Sequence, residues 1–91
     1  MADAAPLTLT IANKRGLHAR AAAKFVRLVA QYDAAVKVTH AGQEVSGLSI
    51  MGLMMLSAAL GAQIQVSASG RQASEALEAI GKLVESRFGE D

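Results

Sequence analysis

Apolar and hydroxyl side chains alternate along Leu7, Thr8, Leu9, Thr10, Ile11 and Ala12, the period-two pattern of a strand with one buried face. Asn13, Lys14, Arg15 and Gly16 end it. Between positions 18 and 32 the period lengthens: Ala22, Phe25, Val26 and Val29 recur at helical spacing while Arg20, Lys24, Arg27 and Gln31 occupy another stripe, which predicts an amphipathic helix with a basic face. Alternation returns over positions 35–39, His40 to Gln43 supply a turn containing Gly42, and Glu44, Val45 and Ser46 follow, so a hairpin is the economical reading. Ser49 heads an apolar run and suits a helix N-cap, predicting a short helix over positions 50–56. Gly61 closes that segment, and positions 62–68 alternate as a fourth strand. Ser69 and Gln72 have the spacing of a capping box. Ala73, Ala76, Leu77, Ile80, Leu83 and Val84 then share one face of a last helix, predicted to run to about position 88 and to stop at Gly89.

The order is strand, helix, strand, strand, helix, strand, helix, with no internal repeat and no linker long enough to divide the chain. An α+β class is expected: one domain over residues 1–91, with a four-stranded antiparallel sheet and three helices on one face. The other sheet face should be wet, lined by Thr8, Thr10, Lys37, Thr39, Gln63, Gln65 and Ser67.

Composition narrows the partners. The 91 residues include no cysteine, which removes disulfides and thiolate metal sites. No apolar stretch approaches the roughly 20 residues of a membrane span, and the first six residues lack the basic and apolar regions of a secretory signal, so no membrane association and a cytoplasmic setting are expected. With a net charge of +1, one Tyr and two Phe, neither bulk charge nor a stacking surface favours nucleic acid. The charge is local instead, because Arg15, Arg20, Lys24 and Arg27 cluster while acids concentrate after Glu75.

That cluster breaks a rule. Helix N-termini carry partial positive charge and prefer acids, each worth about 0.3 to 1 kcal/mol, yet this helix opens with His18, Arg20 and Lys24. The inference is an anion site of free backbone N–H groups and Arg20, with Gly16 allowing close backbone approach. Such a site suits phosphate. A neutral imidazole there is a nucleophile, and phosphoryl oxygens on it would be held by N–H groups and Arg20. On residue types alone, a capping histidine beside a solvated basic face remains an equal reading. A metal site is disfavoured, since His40 lies in a different turn and no cysteine or suitably spaced acid accompanies the pair. A self-standing acid/base enzyme lacks paired carboxylates near His18, Asp33 and Glu44 falling in separate turns. A module that binds a small anion without a covalent step is the competing class.

The run Ser46-Gly47-Leu48-Ser49-Ile50-Met51-Gly52-Leu53-Met54-Met55-Leu56 is apolar nearly all round, and one short helix cannot bury every face against a single sheet. Some of Leu48, Met51, Met54 and Met55 should be exposed, on the kind of adaptable surface that receives partners.

With these residues assembled, the chain resembles HPr, the histidine-containing phosphocarrier of bacterial phosphotransferase systems. Gly16-Leu17-His18-Ala19-Arg20 looks like the family's active-site motif and Ser49-Ile50-Met51-Gly52 like its regulatory-serine motif, in the family's order and separation. The resemblance implies an open-faced β-sandwich of the βαββαβα order. It implies a phosphoryl group carried on Nδ1 of His18, beside Arg20, accepted from a phosphoenolpyruvate-dependent enzyme I and passed to an enzyme IIA type acceptor. It also implies Ser49 as a target of an HPr kinase. Lys24, Arg27, Leu48, Met51 and Met54 would form the docking surface of a monomer that needs no cofactor and no metal, and that is no enzyme by itself. Ala21 stands where sugar-transport members usually have proline, so positions 13–21 look more like the nitrogen-related regulatory branch.

Overall fold

The computed structural model describes residues 3–90. Seven main elements follow one another as β1 (Asp3–Thr10), α1 (Ala19–Val29), β2 (Ala35–His40), β3 (Gln43–Ser46), α2 (Ile50–Met55), β4 (Gln63–Ser69) and α3 (Ala73–Glu85). The strands form one sheet in the order β1-β4-β2-β3, every neighbour antiparallel. Register places Leu9 opposite Ile64 and Val38 opposite Val66. Their period-two side chains therefore share the buried face with Val36 and Ala68. Thr8, Thr10, Lys37, Gln63 and Gln65 are exposed on the other side, as the alternation predicts. Phe25 and Val29 of α1, with Leu77, Ile80 and Val84 of α3, close the core, each such side chain contributing about 1.5–3 kcal/mol on burial. This is the open-faced sandwich expected from the element order.

Local chemistry explains most boundaries. Ala41 and Gly42 join β2 to β3 with φ of 51° and 82°, the doubly left-handed geometry of a two-residue hairpin. Ser49 caps α2 by accepting a hydrogen bond from the Gly52 N–H at 2.9 Å. Strand β1 starts earlier than the alternation indicates and carries a register shift between Ala4 and Leu7. Pro6, which has no N–H to donate, lies within that irregularity on an edge strand.

Two local readings are corrected. Ser69 and Gln72 form no capping box: Gln72 is itself the N-cap residue of α3, without a side-chain capping bond. Its Oε1 accepts instead from the Asp33 N–H at 2.8 Å, and Arg71 Nε donates to Asp33 Oδ2 at 3.1 Å. Both side chains tie the loop before β2 to the start of α3. The last helix ends at Glu85, short of position 88. Arg87, Phe88 and Gly89 follow with φ of 59°, 56° and 72°, a left-handed turn that folds the chain back toward α1 and buries Phe88 completely. No side-chain periodicity signals such a reversal.

Candidate functional site

His18 is the N-cap residue of α1, with extended backbone angles of −79° and −179°, and its side chain makes no capping bond. Its carbonyl accepts from the Ala22 N–H at 2.9 Å, so the N–H groups of Ala19, Arg20 and Ala21 have no acceptor within the helix. The first turn holds no acid, and Arg20 is exposed there. The sequence-predicted pair is therefore together at one helix end, with free donors between its members.

What holds His18 in place is a loop packed against another loop. Gly16 has φ of +67°, and a Cβ at that position would lie 2.4 Å from the Ala58 carbonyl oxygen and 2.8 Å from the Ala59 Cα. Leu17 N–H donates to the same Ala58 oxygen at 2.9 Å. The expectation that Gly16 makes room for an anion is thus corrected: its missing side chain makes room for the 58–59 backbone. Asn13 is buried at the base of this loop and donates from Nδ2 to the Gly16 carbonyl at 2.8 Å.

The residue that sequence reasoning missed is Glu90. Its Oε2 lies 2.7 Å from His18 Nε2, and its Oε1 accepts from Asn13 Nδ2 at 3.0 Å. The two side chains are 15% and 13% exposed, so the pair is largely sheltered. Desolvation pushes the Glu90 carboxyl up, but hydrogen bonds from Asn13 and His18 outweigh it, followed by the charges of His18 and Lys24, and hold it below the usual glutamate range. At neutral pH it is a carboxylate, able only to accept, so Nε2 must carry the hydrogen. Because the folded value is depressed, the contact's contribution is complete above the ordinary carboxyl range and is lost as pH falls through the lowered value. A single carboxylate thus stands beside His18, and the paired carboxylates of a self-standing acid/base enzyme are not found there among the described residues. The only sequence signals were Gly89 after an apolar Phe88.

The remaining candidates are spread around this centre. Lys24 Nζ donates to the Phe88 carbonyl at 2.6 Å, which pins the left-handed turn against α1, while Arg27 is exposed. Helix α2 buries Leu53 only. Met51, Met54 and Met55 are exposed by 72%, 41% and 69% on α2 and Leu48 by 56% in the turn before it, an apolar patch on the segment whose helix packs beside α1. Ser49, at the head of α2, is half-buried. His40 lies at the end of β2, with Nδ1 within 3.0 Å of the Gln63 carbonyl. Among the described residues no helix is long and apolar enough to cross a membrane.

Comparison with known proteins gives this geometry a family. Residues 7–86 match the family described as PTS HPr component phosphorylation site. The phosphocarrier protein HPr of Cupriavidus necator is 43% identical, with 89% of this chain and 91% of that protein covered. The phosphocarrier protein NPr of Shewanella violacea is 40% identical over 90% of both. Among solved structures, HPr-C-His from Thermoanaerobacter tengcongensis superposes with a TM-score of 0.92 at 39% identity, over 97% of this chain and 99% of that one. The chain belongs to the HPr family of phosphotransferase-system phosphocarriers.

Proposed function

We propose that this protein carries a phosphoryl group on Nδ1 of His18, receiving it from a phosphoenolpyruvate-dependent enzyme I and delivering it to an enzyme IIA type acceptor in the cytoplasm. The observation that carries the reading is the division of labour on one ring. Nε2 is engaged by a carboxylate, which leaves Nδ1 as the nitrogen with a free lone pair. Phosphoryl oxygens arriving there meet the N–H groups at the start of α1 that have no acceptor within the helix, and the exposed Arg20 guanidinium, whose charge-assisted bonds are roughly twice as strong as neutral ones. With Arg27 and the stem of Lys24, Leu48, Met51 and Met54 form the surface on which donor and acceptor dock in turn. Transient complexes of this sort fit a small interface, below about 1,200 Å² in total.

Incubation with enzyme I and phosphoenolpyruvate tests the reading. One acid-labile phosphoryl group should appear by mass measurement, none should appear on His18→Ala, and Arg20→Ala should label more slowly while keeping the acceptor atom. Label on His18→Ala would refute it. Labelling also separates a carrier from a module that merely binds a small anion.

Ser49 supplies the regulatory part of the proposal. Phosphate on its hydroxyl would place roughly 1.5 to 2 negative charges beside the docking patch and oppose an acidic partner. Aspartate caps a helix about as well as serine, whereas alanine forfeits about 1 kcal/mol. Ser49→Asp should therefore fold normally yet transfer poorly, and Ser49→Ala should melt lower yet transfer normally. Equal transfer rates in the two variants would remove charge as the mechanism.

A further inference from the structure

We propose that Glu90 is a positioning residue for phosphoryl transfer, fixing the hydrogen of His18 on Nε2 so that Nδ1 is presented as the nucleophile. The inference rests on the carrier reading above and extends it to a residue outside both sequence motifs.

Three observations converge. The first is the contact itself, 2.7 Å between Glu90 Oε2 and His18 Nε2, made by a carboxylate that cannot donate. The second is its orientation by a third group. Asn13 Nδ2 reaches both the Gly16 carbonyl at 2.8 Å and Glu90 Oε1 at 3.0 Å, linking the carboxylate to the loop that delivers His18. That link has a cost, because the other end of the buried amide, Asn13 Oδ1, has no hydrogen-bond partner among the described residues, and an orphaned buried acceptor opposes folding. The third is the strap that brings Glu90 there. Arg87 and Phe88 hold φ of 59° and 56°, a conformation that L side chains rarely adopt, and Lys24 Nζ clamps the turn at the Phe88 carbonyl. Strain concentrated at one turn is over-determined by its surroundings, and here what the turn delivers is a carboxylate on the candidate nucleophile.

The step balances without moving a proton. The neutral ring, with hydrogen on Nε2, uses the Nδ1 lone pair to form the N–P bond. The bond from phosphorus to the donor breaks, and its electron pair leaves with the donor. The ring gains positive character and keeps its Nε2 hydrogen, which the Glu90 carboxylate accepts throughout. Onward transfer reverses the same events toward the acceptor. The opposite tautomer, with hydrogen on Nδ1, has no lone pair there to attack.

Nitrogen-15 spectra of the His18 ring, recorded above neutral pH, read the tautomer directly. The parent protein should show hydrogen on Nε2, and Glu90→Ala should lose that preference. Glu90→Gln is the sharper variant: with its Oε1 on Asn13, its amide turns a donor toward Nε2 and drives the hydrogen to Nδ1. Labelling by enzyme I and phosphoenolpyruvate should slow about tenfold or more in both variants, with a cooperative melt retained and its midpoint lowered more in Glu90→Ala, which loses both hydrogen bonds, than in Glu90→Gln. Parent-like tautomer populations in both variants overturn the proposal, as do equal or faster rates, faster labelling marking Glu90 as a cover over the ring. Absence of label on the parent protein would instead refute the carrier reading, and the tautomer spectra would still decide whether Glu90 sets the ring.

Discussion

Gly16→Ala is expected to lower the thermal midpoint by about 10 °C or more. Two costs combine at this position. A left-handed φ of +67° disfavours alanine by about 1–2 kcal/mol. The new Cβ would lie 2.4 Å from the Ala58 carbonyl oxygen, and backbone cannot yield as a flexible side chain does, so displacement of the loop adds about 1–3 kcal/mol. For a domain of this size each kcal/mol moves the midpoint by roughly 4–8 °C. Gly42→Ala is the control. Its φ is also positive, +82°, but nothing lies within 4 Å of its would-be Cβ, so only the backbone cost remains. Differential scanning calorimetry of the two variants isolates the packing cost, and equal melting would show that contact with the 58–59 backbone is unimportant. Because the displaced loop carries His18, Gly16→Ala should also slow labelling, whereas Gly42→Ala should not.

Phe88→Ala should cost about 3–5 kcal/mol, the usual range for emptying a fully buried aromatic site, since no part of Phe88 is exposed. Its second consequence is more telling. The left-handed turn at Arg87–Gly89 is held by the buried ring and by Lys24. With the ring gone, the turn can relax and Glu90 can leave His18. The His18 tautomer of Phe88→Ala should therefore resemble that of Glu90→Ala, whereas Phe88→Leu, which still fills the site, should resemble the parent. Urea unfolding gives the stability and nitrogen-15 spectra give the ring. A parent-like tautomer in a strongly destabilised Phe88→Ala would separate the ring's packing from the strap.

What could be read in advance follows from where each signal resides. Sheet and helices were legible because their periods are written in neighbouring residues: Leu9, Val38, Ile64 and Val66 alternate with polar partners, and Phe25 and Val29 recur at helical spacing. Arg20 and His18 were legible because cations at a helix start contradict a local preference, and Ser49 because capping acts over three residues. Glu90 was not, because its position depends on a left-handed turn built from two ordinary residues and a glycine, and on a lysine from another helix. The role of Gly16 was misread for a related reason. A glycine announces freedom or close approach, but what approaches, here Ala58 and Ala59, is decided only when distant segments meet. Lys24 shows the same limit, since the basic stripe places it on a surface while its ammonium is bonded to the Phe88 carbonyl.

The contact between positions 18 and 90 spans 72 residues of chain. Closing so wide a loop before the intervening strands have paired is entropically unfavourable, by about 4 kcal/mol for a flexible chain, and one sheltered ion pair does not offset it. The imidazole is therefore among the last groups to be set. A chain with α1 formed but the 87–90 turn unmade would have the histidine and the arginine without the carboxylate on Nε2, so on the proposed reading the ring is set by completion of the tertiary structure and not by helix formation.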